Sequence, residues 1–423
     1  VVMIQDEDIS AGIPSLPFIC HIASMRTVLK DLMFLGSSLC SRSAAFCSRQ
    51  PVSPVLLSRR IFTTTTINMS QYWNREESIQ GNFSKDKTIS RAAKVISLSS
   101  ADDPANCPLH KGVLPEGSSL LAIGTTVDEF DITALKVHKP NVLFVSHPMS
   151  RKPLVELLGS LPSIEWVHAR SAGIDFVTSD ALTEFNKKVI ITNAKGTFSS
   201  TLAEYAMMAC AYFAKDLPRL LKQKSDSNWE KYSVKELRGA TLGIIGYGDI
   251  GRATAKLANA YGMKVVALRK NPEASSKDPF CDVVYGSDKD SMNKLFSESD
   301  YVLCSLPLTP QTKGMITKEQ FDIAKEDACF INVGRGPIVD EDAMIEALKT
   351  GKLKGAGLDV FAVEPLPHSS ELWKLDNVLL SPHNMDQTET FMQEATEFFV
   401  NENLPRFLRG KDLLNPVDAA SGY

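Results

Sequence analysis

Gly246-Tyr247-Gly248-Asp249-Ile250-Gly251 follows an apolar run, Ala240-Thr241-Leu242-Gly243-Ile244-Ile245, and opens a segment with Ile250, Ala253, Leu257, Ala258 and Tyr261 at helical spacing. A G-x-G-x-x-G motif signals a dinucleotide site in that context, between a strand and an amphipathic helix. The first glycine makes the tight turn, the second admits a pyrophosphate and the third lets helix and strand pack. The helix N-terminus then faces the phosphates. Gly262 closes the helix and Val265–Leu268 supplies the next strand. Gly246, Gly248, Asp249, Ile250 and Gly251 are therefore the first cofactor-binding candidates.

Outward from this motif the alternation continues. Apolar runs recur at Tyr301–Leu306, Phe330–Val333, Gly357–Phe361 and Val378–Leu380, with a helical pattern over Asp340 to Lys349. Upstream, Lys94–Leu98, Val142–Val145 and Ile164–Val167 read as strands, and Pro153–Leu158 and Ala181–Phe185 as helices. A capping box, Thr201-Leu202-Ala203-Glu204, opens a long apolar helix through Tyr205, Met208 and Tyr212. The polar stretch from Lys215 to Glu236, interrupted by Pro218, suits an inter-domain crossing. Such alternation predicts an α/β chain of doubly wound parallel sheets with right-handed crossovers.

At 423 residues the chain is long enough for two domains and a tail. Its composition, 43% hydrophobic and 23% charged, is that of an ordinary globular protein. A net charge of −4 gives no electrostatic reason to expect nucleic acid. The eight cysteines form no Cys-x-x-Cys pair and no zinc-type cluster, so no metal site is expected and the thiols read as reduced. No apolar run reaches the ~18 residues of a spanning helix, so no membrane association is expected.

Residues 1–87 read as a disordered leader. From Met25 to Arg75 the basic residues are Arg26, Lys30, Arg42, Arg49, Arg59, Arg60 and Arg75, against the single acid Asp31, among dense serine and threonine. That is transit-peptide composition, with Met25 as its start and Asp6, Glu7 and Asp8 in an upstream extension. Arg59 and Arg60 favour the mitochondrial matrix over the plastid. The other reading is a tail without an address on a cytosolic protein.

The strand Lys264–Leu268 ends in Arg269-Lys270, where NAD-binding folds place an acid for the ribose 2′-hydroxyl, about 20 residues past the glycines. Two cations there suit a 2′-phosphate, so NADP(H) is the expected cofactor, with NAD(H) the alternative if both are solvated surface charge.

Three more strand signals end in chemistry-bearing residues. They are Asn332-Val333-Gly334-Arg335-Gly336, Asp359-Val360-Phe361 running into Glu364-Pro365-Leu366-Pro367, and Ser381-Pro382-His383. In a doubly wound sheet, ligands sit beyond the carboxyl ends of the strands, so Arg335, Glu364 and His383 would rim one cleft with the glycine loop. Arginine offers a two-pronged cation for a 2-keto acid's carboxylate and carbonyl. Imidazole can donate the proton an alkoxide needs, and a neighbouring carboxylate would orient it and raise its pKa. Singly, each has a structural reading as a loop arginine, a strand-end charge or a turn cap.

The segments Gly246–Gly251, Leu306-Pro307-Leu308-Thr309-Pro310-Gln311-Thr312, Asn332–Asp340, Leu358–Pro367 and Asn377–His383 together resemble the D-isomer-specific 2-hydroxyacid dehydrogenases, which include phosphoglycerate dehydrogenase and glyoxylate/hydroxypyruvate reductases. The resemblance runs roughly from Lys94 to Pro416. It implies two Rossmann-like domains, with a dinucleotide-binding domain (215–387) inserted into a split, flavodoxin-like substrate domain (88–214 plus 388–418). It assigns catalysis to Arg335, Glu364 and His383, and the nicotinamide carboxamide to Asp359. Leu306, Pro307, Thr312 and Val333 join the cofactor set. Ser171-Ala172-Gly173-Ile174-Asp175 resembles the family's substrate loop, so Ser171, Ala172 and Gly173 join Arg335 as substrate-binding candidates. It also implies a homodimer built on the long Thr201 helix and its flanks. Specificity would come from first-domain side chains, such as those near His147, Arg170 and Phe198.

The chain departs from the family in two places. Arg269 replaces the acid of NAD-using members. After His383, Asn384-Met385-Asp386-Gln387 replaces a small, glycine-containing stretch, which leaves Asp386 either beside the histidine or capping the next helix. The expected activity is reduction of a small 2-keto acid, glyoxylate or hydroxypyruvate-like, to the D-2-hydroxy acid. The rival readings are a catalytically silent dinucleotide-sensing corepressor on the same fold, and a formate-type dehydrogenase, which needs no glutamate-backed histidine.

Overall fold

The computed structural model describes residues 88–109, 113–146, 151–174 and 188–417. The leader, His147, Asp175 and the helix expected over Ala181–Phe185 lie outside them.

The chain builds two sheets in succession. In the first, β1 (Ala93–Leu98), β2 (Ser118–Gly124), β3 (Val142–Val145), β4 (Trp166–Ala169) and β5 (Ile190–Asn193) lie parallel in the order β2-β1-β3-β4-β5. Helices α1 (Ile132–His138) and α2 (Arg151–Ser160) lie in the crossovers between its strands. Successive residues point to opposite faces. Ile96, Leu98, Leu143, Val145 and Val167 pack with Leu154 and Leu157 of α2, while Val95, Val142, Phe144 and Trp166 form the other face.

Helix α3 (Ser199–Ala214) and the short α4 (Leu217–Ser225) lead into the second sheet. Its strands are β6 (Thr241–Ile245), β7 (Lys264–Leu268), β8 (Val283–Tyr285), β9 (Tyr301–Cys304), β10 (Cys329–Asn332), β11 (Gly355–Leu358) and β12 (Val378–Leu380). All pair in parallel, in the order β12-β11-β10-β9-β6-β7-β8, with the order reversing beside β6. Helix α5 (Asp249–Ala260) follows the glycine loop, and with α3 it covers the face carrying Leu242, Ile244, Val265, Leu303 and Ile331. Helices α6 (Lys289–Glu298), α7 (Lys318–Ile323) and α8 (Glu341–Lys349) cover the face carrying Ile245, Val266, Val302 and Phe330.

The chain then returns to the first sheet. Helix α9 (Phe391–Phe398), a π turn over Phe399–Asn403 and α10 (Leu404–Leu408) lead to β13 (Pro416–Val417), antiparallel to β5. Phe407 stacks on Trp166 and Phe399 packs against it at a tilt, each with its ring centroid 5.1 Å from that of Trp166. Burying each such side chain contributes roughly 1.5–3 kcal/mol. The second sheet is thus an insertion into the first.

Several expectations need correction. By packing, α3 belongs to the second sheet's core, although the sequence reading assigned it, through residue 214, to the first. Small residues permit this: a Cβ on Gly357 of β11 would come within 3.0 Å of Ala209. The capping box does not form. The helix starts at Ser199, and Thr201 Oγ1 donates instead to the carbonyl of Met385 (2.7 Å), tying α3 to the segment after β12. The third expected strand lies two residues further on, at Trp166–Ala169. Strands β2, β5 and β8 were not expected.

Candidate active site

Every candidate side chain lies just past the carboxyl end of a parallel strand. At β10, Asn332 shapes the turn: its Oδ1 accepts the Gly334 N–H (3.0 Å) and its Nδ2 donates to the Arg335 carbonyl (3.3 Å). Gly334 must lack a side chain, because a Cβ there would lie 2.6 Å from the Leu306 carbonyl oxygen. Arg335 follows, half-buried, with Nη1 donating to the Gly334 carbonyl (2.8 Å).

Past β11, Asp359 is buried and Glu364 turns back toward the sheet. Glu364 Oε1 accepts the Phe361 N–H (2.9 Å), and Oε2 lies 2.7 Å from Nδ1 of His383. His383 sits past β12 with φ 50°, in the left-handed region. That conformation costs a residue with a Cβ about 1–2 kcal/mol, so neighbouring structure must hold it. Asp359 Oδ1 does so, accepting from Ser381 Oγ (2.8 Å) and the Asn384 N–H (3.1 Å) on either side.

The electrostatics couple these groups. The hydrogen bond to Glu364 raises the His383 pKa above the usual imidazole value, against burial and the charge of Arg335. Burial pushes the Glu364 carboxyl up, but hydrogen bonds from His383 and Phe361 and the charges of His383 and Arg335 outweigh it and leave the carboxyl lowered. Asp359 is raised by burial despite its hydrogen bonds. Engaging Nδ1 of the imidazole leaves Nε2 as the nitrogen that can exchange a proton with a ligand.

The glycine loop fits a dinucleotide. Gly246 has φ 101°, and a Cβ on Gly251 would lie 2.5 Å from the Gly246 carbonyl oxygen. A Cβ on Gly248 would meet no protein atom within 4 Å, so the space above it is open for a pyrophosphate at the N-terminus of α5. Ser305 Oγ donates to the Gly246 carbonyl (2.9 Å), a support that no sequence signal marked. Asp249 pairs with Lys195 of the first domain (3.7 Å). Leu306 packs against the glycine turn. The Thr312 hydroxyl donates to the Pro307 carbonyl (2.7 Å) and accepts the Thr309 N–H (2.8 Å), so it shapes that loop. Val333 is buried in the core. Arg269, at the end of β7, hydrogen-bonds through Nη1 to Ser275 Oγ, and Lys270 beside it is exposed.

Past β4, Ser171 Oγ donates to the Gly173 carbonyl (2.7 Å), and Asn193 Nδ2 donates to the Ala172 carbonyl (2.7 Å). The N–H groups of Ser171, Ala172 and Gly173 donate to no described residue. That suits capture of a carboxylate by backbone donors. Arg170 is turned into the interior of the first domain. It is 3% exposed, ion-paired to Asp103 (2.5 Å) and hydrogen-bonded to Asn106 (3.2 Å). Phe198 is buried against Phe391, ring centroids 5.6 Å apart. Asp386 does not cap α9, whose N-cap is Thr390.

The family model described as D-isomer specific 2-hydroxyacid dehydrogenase, NAD binding domain, matches residues 207–384. The glyoxylate reductase of Thermococcus litoralis is 32% identical over 60% of this chain and 77% of its own length. The chain belongs to the D-isomer specific 2-hydroxyacid dehydrogenase family. The D-3-phosphoglycerate dehydrogenase of Methanocaldococcus jannaschii is also 32% identical, over 74% of this dehydrogenase, which spans 58% of that protein's length. Among solved structures, a D-isomer specific 2-hydroxyacid dehydrogenase from Xanthobacter autotrophicus Py2, in complex with NADPH and MES, aligns with a TM-score of 0.65 at 28% identity. The alignment covers 79% of this chain and 100% of that one. The dehydrogenase therefore uses NAD or NADP.

Proposed function

We propose that this dehydrogenase reduces a small 2-keto acid, of the glyoxylate or hydroxypyruvate kind, to the D-2-hydroxy acid, with NADPH as preferred reductant. The His383–Glu364 pair at 2.7 Å, on the rim of a dinucleotide-binding sheet beside Arg335, carries the reading. A silent sensor needs no such proton-holding pair.

The bound nicotinamide would supply hydride to the keto carbon. The chain supplies everything else. Arg335 holds the carboxylate and polarises the carbonyl oxygen. The N–H groups of Ser171, Ala172 and Gly173 secure the carboxylate from the other side. His383, whose protonated form the hydrogen bond to Glu364 favours, gives its Nε2 proton to the developing alkoxide. Asp359 holds the histidine loop through Ser381 and Asn384, and its second oxygen would meet the nicotinamide carboxamide. Arg269 and Lys270, with no acid at the end of β7, favour the 2′-phosphate of NADPH.

A panel of 2-keto acids assayed with NADPH and NADH tests this reading. His383→Ala should lower kcat by orders of magnitude while NADPH still binds. Near-normal turnover by that variant sinks the catalytic assignment.

The dehydrogenase would act as a homodimer. Met208 of α3, Leu220 and Leu221 of α4, and Trp229 and Val234 beyond it are exposed, Trp229 to 94%. These exposed apolar side chains would supply its interface. The leader would direct the protein to the mitochondrial matrix. A reporter behind residues 25–87 that stays cytosolic refutes that assignment.

A further inference from the structure

Lys195 lies just past β5 in the first domain, and Asp249 opens α5 directly after Gly248 in the second. The lysine's Nζ reaches across to Asp249 Oδ2, at 3.7 Å. Its backbone is fixed from both sides. The Lys195 N–H donates to Asn193 Oδ1 (3.2 Å), and its carbonyl accepts from Asn415 Nδ2 (2.8 Å). Asn193 also holds the Ala172 carbonyl of the substrate loop through Nδ2 (2.7 Å), so one asparagine anchors that loop and the base of the lysine. The two charged side chains stand in solvent, the lysine 56% and the aspartate 53% exposed.

An exposed pair of this kind contributes little to stability, because water and salt screen it. Its larger effect is on the charge at the phosphate-binding end of α5. An acid at the first position of a helix suits the helix dipole. The same acid repels the two phosphates that a dinucleotide brings to that spot. Gly248, immediately before it, faces the open side of the loop, where an added Cβ meets no protein atom within 4 Å. Lys195 offsets the acid there. A pyrophosphate, with two negative charges, competes for the ammonium better than one carboxylate does.

We propose that Lys195 is a cofactor-binding residue delivered by the substrate domain, whose ammonium turns from Asp249 to the pyrophosphate of the bound dinucleotide. Asp249 keeps the ammonium over the loop while no phosphate is there. The inference rests on dinucleotide use, which family membership establishes. It is independent of which keto acid is reduced and of the assignment of Arg269 to a 2′-phosphate.

Fluorescence titrations with NADPH and with NADH test it in wild type, Lys195→Ala, Lys195→Arg and Asp249→Asn, with thermal melting to report folding. Lys195→Ala should weaken both cofactors by roughly tenfold. The factor should be the same for each, since the pyrophosphate is common to them. Lys195→Arg keeps a cation of similar reach and should retain most of the affinity. Asp249→Asn removes the repelling charge and should tighten both cofactors by about threefold. The opposite signs are decisive, because a pair that merely fastens the two domains loses affinity whichever partner is removed. Changes of the same sign, or an unchanged affinity in Lys195→Ala, overturn the proposal. So does a loss confined to NADPH, which would put the ammonium on the 2′-phosphate instead. If Lys195→Ala melts far below wild type, Asp249→Asn decides alone: tighter binding supports the assignment and weaker binding refutes it.

Discussion

Alanine at Gly248 and alanine at Gly251 add the same methyl group to two points of one loop, with different consequences. At 248 the new Cβ meets no protein atom within 4 Å, and φ is −96°, so the folded chain accommodates it. It occupies the space through which a pyrophosphate must approach. Losing one charge-assisted hydrogen bond to phosphate costs about 1.5–3 kcal/mol, or roughly 10- to 150-fold in affinity. At 251 the Cβ would sit 2.5 Å from the Gly246 carbonyl oxygen and 2.9 Å from Ile244 Cγ2. The first is backbone and cannot swing aside, so α5 must move off β6. Overpacking of this kind costs about 1–3 kcal/mol of stability, in addition to lost binding. NADPH fluorescence titration and thermal melting, run on both variants, separate the effects. Gly248→Ala should melt with wild type and bind weakly, whereas Gly251→Ala should both melt earlier and bind weakly. If Gly248→Ala binds NADPH as tightly as wild type, the phosphates do not lie where the loop geometry puts them.

Glu364→Gln removes the partner that raises His383, so the imidazolium loses its proton at lower pH. Because reduction needs that proton, the high-pH limb of kcat should move toward acid. An unshifted limb refutes the pairing. Arg269→Ala should raise KM for NADPH roughly 10- to 150-fold through one lost charge-assisted contact and leave KM for NADH nearly unchanged. A wild type preferring NADH more than about tenfold would overturn the phosphate assignment based on the strand-end charge. Replacing Leu221 and Trp229 together by aspartate should convert a dimer to monomers on size-exclusion chromatography with light scattering, and an unchanged mass removes that surface from the interface.

The interior of both sheets was legible because strands buried on both faces read as continuous apolar runs. Phe330, Val302 and Val142 announce themselves this way. Strands β2 and β8 lie at sheet edges and are only partly buried, and their short apolar runs, Leu120–Ile123 and Val283–Tyr285, did not read as strands because neither is framed by a motif or a clear helical pattern. The buried His168 and Arg170 interrupted the pattern at β4, and only tertiary partners, Thr192 (2.7 Å) and Asp103, explain their burial. Thr201 shows the same limit. Its capping signature is intact in sequence, but the Met385 carbonyl, distant in the chain, claims the hydroxyl. The candidate catalytic residues could be proposed from sequence because each lies within a few residues of a strand's carboxyl end. Ser305, Ser275 and the fate of Asp386 could not, since each depends on which loops meet across the sheet.

The return of the chain to its first sheet orders events during synthesis. When the second sheet has emerged complete, Val95, Phe144 and Trp166 still lack the covering rings of Phe399 and Phe407, and β5 lacks β13. The nascent first domain waits with one face bare while the nucleotide domain can already close, the reverse of the usual N-terminal-first order. A stop codon near residue 390 should therefore leave a protein that binds nucleotide but exposes the apolar face of its first sheet. Binding of a hydrophobic dye together with retained NADPH titration would reveal that state.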